Sequence, residues 1–219
     1  MAIPKVIYQT FKTKNIPLLT KFYIWIYKRK NKAWKHEIFD DTDIDSFISS
    51  NFDERTYKAY SRLQIGAAKA DFFRYCILLI NGGVYLDMDS DILVNLDKYI
   101  TADDSAIITR EKNHQNLFAQ WALIYDKNHP FLKRTIEKIV ENIENNTYPH
   151  DEHSMTGPTT YTKAIEEEII LNPDVSYRIV KDDYKGMMQF KYRLGKLLLY
   201  KDRANHWKKL QQRIPVLKD

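Results

Sequence analysis

Strand-like and helix-like patterns alternate along the chain. β-Branched and aromatic residues run together in PKVIYQTF (4–11) and predict a first strand, broken by Asn15 and Pro17. LLTKFYIWIYKRKN then predicts a helix with a basic end, and HEIFD (36–40) a short second strand. DIDSFISSNF and DERTYKAY predict short helices, N-capped by Asp43 and Asp53. The strongest helical stretch is SRLQIGAAKADFFRYCILLIN (61–81), which Gly82 and Gly83 end. VYLDMD and SAIITR (105–110) read as strands. LFAQWALIYD and PFLKRTIEKIVENIEN read as helices, the second with Pro130 at its start. TGPTTYTKAIEEEII (156–170) is a loop opening a helix, and VSYRIVK a late strand. The alternation predicts an α/β sandwich.

The pattern changes character at GGVYLDMDSD (82–91), where apolar residues run into Asp87, Asp89 and Asp91. On an extended strand Asp87 and Asp89 would share one face, with Met88 pointing away. Converging carboxylates repel unless a cation sits between them. Their hard oxygens suit Mg²⁺ or Mn²⁺, whose remaining positions water and substrate phosphates fill. In open α/β sheets, ligands bind beyond the carboxyl ends of the strands, where these acids fall. The bland alternative is a solvated acidic turn. Asp71 and Arg74 stand three apart, and so on one face, inside the otherwise apolar AKADFFRYCILLI. They form either an intrahelical ion pair or a pair turned toward a polar ligand.

Composition narrows the classes. A chain of 219 residues with 44% hydrophobic and 29% charged content is an ordinary folded domain, with no fixed-period repeat. The lone Cys76, within YCILLI, excludes an internal disulfide framework and reads as a buried apolar residue. No run approaches the ~20 apolar residues of a membrane span, and the first residues do not read as a signal peptide, so a cytoplasmic location is expected. The net charge is +5, with an acidic stretch at 40–54 and a basic one at 185–219. A basic surface suits nucleic acid, anionic lipid or a phosphorylated small molecule. KFYIWIYKRKNKAWK and MMQFKYRLGKLLLYK are aromatic, apolar and basic, and fit either core packing or a peripheral anionic-membrane contact. Asp151, Glu152 and His153 read as a solvated loop.

IPKVIYQTF, AAKADFFRYCILLINGGVYLDMD and TGP together resemble the DxD sugar-binding glycosyltransferases, glycosyltransferase family 32. The resemblance covers most of residues 3–97. It implies a GT-A type, Rossmann-like α/β fold in a single domain spanning 1–219. Residues 1–110 would form the nucleotide-binding core, and 111–219 the acceptor-side helices and basic tail. It also implies a nucleotide-sugar donor (UDP- or GDP-hexose), Mn²⁺ or Mg²⁺, a glycan or lipid-linked glycan acceptor, and retention of anomeric configuration. On this resemblance Asp87 and Asp89 hold the metal and Asp71 and Arg74 face the donor sugar and phosphates. Gln9, Thr10 and Phe11 line the base, Tyr85 stands on the donor side, and Thr156 and Gly157 shape the sugar side. His206, beside Trp207, is either a further metal or phosphate contact or a surface histidine. Phe11 and Tyr8 depart from the tryptophan and histidine that many members carry. Two other classes stand against this one. A metal-dependent phosphotransferase or hydrolase is weakened by the absence of a P-loop. A basic nucleic-acid-binding module would have no use for Asp87 and Asp89.

Overall fold

The computed structural model describes residues 2–181, 183–192 and 210–218. A six-stranded mixed sheet forms the centre, in the order β2-β1-β3-β6-β5-β7. Strands β1 (Val6–Thr10), β2 (Lys35–Phe39) and β3 (Gly83–Leu86) run parallel. β6 (Ala122–Tyr125) is antiparallel to both β3 and β5 (Ala106–Thr109), and β5 runs parallel to β7 (Arg178–Val180). A separate antiparallel pair joins β4 (Asp91–Ile92) to β8 (Met188–Gln189).

Both faces of the sheet are covered, and the strand residues divide between them in strict alternation. Tyr8, Tyr85, Ile108, Leu123 and Tyr125 face one core. It is closed by α2 (Asp41–Asn51), α3 (Glu54–Arg62), α4 (Gly66–Asn81), α5 (Pro130–Glu144) and α7 (Pro158–Leu171). Ile7, Val84, Leu86, Ile107 and Ile124 face the other core, with α1 (Leu18–Lys30) and residues 184–188. Two apolar faces explain why β3, β5 and β6 are buried at every position.

Four expectations need correction. LFAQWALIYD is no helix. Its second half is β6, whose alternating residues fill both cores, and cross-strand pairing outweighs a short apolar run that suits either structure. The 61–81 helix starts only at Gly66, because Leu63 bridges Leu217 and the Gln64 N–H donates to the Val216 carbonyl. Asp40, not Asp43, caps α2. Asp40 accepts from the Thr42 and Asp43 N–H groups, while the Asp43 carboxylate returns to the Asp40 N–H. The acid-bearing strand stops at Leu86, and Asp87–Ser90 form a turn closed by Ser90 N–H on Asp87 O at 2.9 Å. Cys76 is fully buried in the first core, as expected.

The return from α4 into β3 needs two glycines. Gly82 has φ +64°, and a Cβ there would meet the Pro4 ring at 2.8 Å. Gly83 has φ +110°, and a Cβ there would sit 2.7 Å from the Val6 carbonyl oxygen, a rigid neighbour on the partner strand. Gly83→Ala should therefore cost about 3 kcal/mol in chemical denaturation, combining a strained backbone with a parted β1–β3 seam. A loss below about 0.5 kcal/mol, the size of an ordinary surface change, would contradict this reading.

Candidate functional site

The site is assembled where β3 ends. The first three turns of α4 carry Asp71 and Arg74 one turn apart, both almost fully buried. The glycine return brings β3 back alongside the helix, so the turn after β3 lies against it. The Arg74 guanidinium bonds Asp71 at 2.9 Å and Asp87 at 3.1 Å. It also donates to the Gln120 carbonyl at 2.7 Å and lies over the Tyr85 ring at 4.8 Å. The ion-pair and ligand-facing readings of Asp71 and Arg74 are thus not exclusive: the pair exists and reaches the acid turn.

Asp87 is held from three sides. Its N–H donates to the Trp121 carbonyl at 2.8 Å, and Gln9 Nε2 donates to its carbonyl at 3.3 Å. Gln9 is fully buried, and its side-chain oxygen accepts from Tyr27 and contacts His36 Nε2. Its amide therefore supports the turn from within. Thr10 Oγ pairs with Tyr85 OH at 2.8 Å, placing Tyr85 as a buried prop under Arg74. Phe11 is half-buried at the end of β1, bonded through its N–H to the Phe39 carbonyl. Asp89 is buried, and its carbonyl accepts from the Tyr192 N–H at 2.8 Å.

Thr156 and Gly157 join the same site. The Thr156 hydroxyl is buried and donates to Asp71 at 3.3 Å. Gly157 is the N-cap of α7, and a Cβ there would press on the His153 backbone at 2.8 Å, so the loop closes tightly. His206 lies outside the described residues.

Two residues of the site escaped the sequence reading. Gln120 Nε2 donates to Asp71 at 3.1 Å, its Oε1 accepts from Tyr75 OH, and its carbonyl holds Arg74. It lay inside the segment mistaken for a helix. Glu152 is not in a solvated loop. It opens the short helix α6 (Glu152–Met155) and is 4% exposed. Burial first, then the adjacent Asp71 charge and hydrogen bond, push its carboxyl well above the ordinary range. The shift favours the neutral form of Glu152 beside Asp71. Only its position four residues before the TGP loop could have drawn attention to it.

The acid turn is electrostatically under-compensated. Asp87 is pushed up to about 7, first by burial and then by Asp89, with Arg74 pulling the other way. Arg74 cannot neutralise Asp87 fully while it is shared with Asp71. Beside them, Ser90 Oγ and Asp91 Oδ1 are buried without a hydrogen-bond partner. A hard divalent cation fits such oxygens. Among the described residues no group of three or more His, Cys, Asp or Glu side chains is arranged to hold an ion.

Residues 17–107 match the family described as the glycosyltransferase sugar-binding region containing a DXD motif. That stretch of the chain is similar to the family, and it holds Asp71, Arg74, Asp87 and Asp89. The chain is 28% identical over 215 residues to the initiation-specific α-1,6-mannosyltransferase of Candida albicans, covering 78% of this chain and 55% of that protein. The Schizosaccharomyces pombe protein of the same name is 25% identical over 202 residues, covering 74% and 48%. The chain spans about half the length of these curated relatives. Among solved structures, the PaToxG glycosyltransferase superposes with a TM-score of 0.65 at 20% identity, covering 80% of this chain and 73% of that one. The UDP-bound glycosyltransferase domain of the YGT toxin gives 0.59 at 10% identity, covering 89% and 81%. The fold is therefore of the GT-A type.

Glu152 gives a pH prediction. A carboxyl whose folded pKa lies above its unfolded value contributes stability that is complete below the unfolded value, here near 4.5, and lost as pH rises through the folded one. Glu152→Gln keeps the neutral shape and removes the titration. The variant should match the parent at pH 5 in denaturant unfolding and exceed it at pH 9. Glu152→Ala should cost about 1–3 kcal/mol at either pH, because it leaves Asp71 short of a partner. A parent and Gln variant with parallel pH profiles would contradict a neutral Glu152.

Proposed function

We propose that the chain is a metal-dependent glycosyltransferase that moves a hexose from a UDP- or GDP-linked sugar to a glycan or lipid-linked glycan acceptor, with retention of configuration. The observation that carries this reading is the buried Arg74, bonded at once to Asp71 on α4 and to Asp87 in the DXD turn. A helix-borne carboxylate, a guanidinium and a pair of turn carboxylates lie in one connected cluster. That set can meet a sugar, a diphosphate and a cation together. The names of the relatives support it: a solved toxin domain is UDP-bound, two yeast proteins are α-1,6-mannosyltransferases, and a third from S. pombe is inositol phosphoceramide mannosyltransferase 3.

Asp87 and Asp89 would hold Mn²⁺ or Mg²⁺. When bound, the cation supplies Lewis-acid neutralisation of the diphosphate leaving group. Arg74 stabilises charge growing on the phosphate oxygens, and its own pair with Asp71 fixes its direction. Asp71, oriented by Gln120 and Thr156, receives the donor sugar hydroxyls. Gln9 and Tyr85 act as supports beneath the turn and under Arg74. Phe11, at the strand end, is the base-side contact. No side chain is needed as a general base, since the departing phosphate oxygen can take the acceptor's hydroxyl proton on the same face.

The test combines a thermal-shift panel of nucleotide sugars with Mn²⁺ and an assay of acceptor-dependent nucleoside diphosphate release. A donor that binds the native state raises the melting temperature. Asp89→Asn should cut transfer by about two to three orders of magnitude, the usual effect of losing one electrostatic stabiliser, while leaving the fold intact. Excess chelator should abolish transfer, and added Mn²⁺ should restore it. Full transfer in chelator would overturn the reading. Phosphoester hydrolysis with no acceptor requirement would point instead to a phosphotransferase or hydrolase.

A further inference from the structure

Helix α1 presents a face that the site does not use. Thr20, Ile24 and Tyr27 turn inward and are buried. On the opposite side Leu18 is 83% exposed, Phe22 53% and Trp25 51%. With Arg29 these fall at i, i+4, i+7 and i+11, a single stripe along the helix. The Phe22 and Trp25 rings stack on each other at 6.1 Å, and the Arg29 guanidinium lies 4.7 Å over Trp25. The aromatic body of the stripe is therefore a built surface rather than scattered residues.

The charge on this face has one sign. The sequence contains no Asp or Glu before Glu37. Lys21, Lys28, Arg29 and Lys32, with Ile24 and Trp25, surround a shallow groove of about 350 Å³. Among the described residues none of these four cations is in an ion pair, whereas Lys5 pairs with Asp97 and Lys14 with Asp43. No helix of the described residues is long and apolar enough to cross a membrane. A helix with exposed aromatics and an uncompensated basic margin suits a surface that offers apolar depth beneath negative headgroups.

We propose that α1 docks this protein on the surface of an anionic phospholipid bilayer, with Leu18, Phe22 and Trp25 in the acyl boundary and Lys21, Lys28, Arg29 and Lys32 among the headgroup phosphates. The docked helix is tied to the acid turn. Tyr23 stacks on Tyr192 at 4.0 Å, Thr20 Oγ pairs with Tyr192 OH at 2.7 Å, and the Tyr192 N–H donates to the Asp89 carbonyl. Docking would thus set the acid turn at a fixed, short distance from the lipid surface, where a lipid-borne acceptor would be presented.

The full chain is sedimented with phosphatidylcholine vesicles and with vesicles containing about 30% phosphatidylglycerol, in low and high salt; this needs no donor, metal or acceptor and so is independent of the proposed transfer reaction. Binding should require the anionic lipid and fall steeply at about 0.5 M salt, where the Debye length shrinks to a few ångströms. Lys28→Gln with Arg29→Gln should weaken it about 30-fold, the share of two cations near such a surface. Phe22→Ser with Trp25→Ser should weaken it similarly at unchanged melting temperature, since both side chains are exposed. Tryptophan emission should shift to the blue on anionic vesicles, and Trp25→Phe should abolish most of that shift. Three results would overturn the proposal: equal binding to neutral vesicles, binding indifferent to the α1 variants, or no vesicle binding. A dimer dissolved by Phe22→Ser with Trp25→Ser, or tight nucleic-acid binding without vesicle binding, would assign the face elsewhere.

Discussion

One buried guanidinium organises this molecule. Taking the Arg74 charge out of water costs several kcal/mol, and only close opposite charge and saturated donors offset that cost. Asp71, Asp87 and the Gln120 carbonyl provide both. Burial works against the charge, and Asp87, Tyr85 and Asp71 together outweigh it, so the group stays protonated. The three partners come from a helix, a turn after a strand and the segment entering another strand. Arg74 can be satisfied only when all three have reached their places. Truncation of Arg74 would leave the buried Asp71 and the half-buried Asp87 without their shared cation rather than remove one contact.

The fold is arranged so that these partners meet. The positive φ angles at Gly82 and Gly83 let the chain turn from α4 into β3 with no linker, which keeps the DXD turn beside the first turns of the helix. β6, inserted antiparallel beside β3, brings Gln120 and Trp121 to the same end of the sheet. Gln9 supports the turn from β1, and Thr156 closes over Asp71 from the opposite side. Each support is a polar group with its hydrogen bonds made internally, so the carboxylates are held by the scaffold and need not be ordered by a ligand. Preorganisation of that kind is what electrostatic stabilisation of a leaving group demands.

How much of this was legible depends on the range of the information. Asp71 and Arg74 stood out because a helix places i and i+3 on one face, a rule contained within a few residues. The DXD acids stood out because like charges at a strand end have no folding purpose. Their geometry was misread, however: a strand was expected to continue through Asp87, whereas the hydrogen bonds that end it come from Ser90 within the turn and from Trp121 across the sheet. β6 was misread for the same reason. A short apolar run fits helix or strand equally until its neighbours are known, and those neighbours, β3 and β5, lie more than ten residues away. Gln120 was lost with it. Glu152 was read as solvated because an acid in a polar loop usually is, and its burial against Asp71 follows from α6 packing on α4, which no local pattern encodes.

The same distinction bears on which properties of the site are intrinsic to this chain. Asp87 near 7 and a neutral Glu152 are both consequences of burying several carboxyls around one guanidinium. They respond differently to a cation at the acid turn. Asp87 lies within the turn, so a cation there would restore its charge and release a proton. Glu152 lies behind Asp71, where burial first and then the Asp71 charge and hydrogen bond favour its neutral form against the pull of Arg74. The two acids therefore separate a responsive layer at the turn from a layer packed behind Asp71. The charge that a cation would change is confined to the turn, apart from the packed core around Asp71 and Glu152.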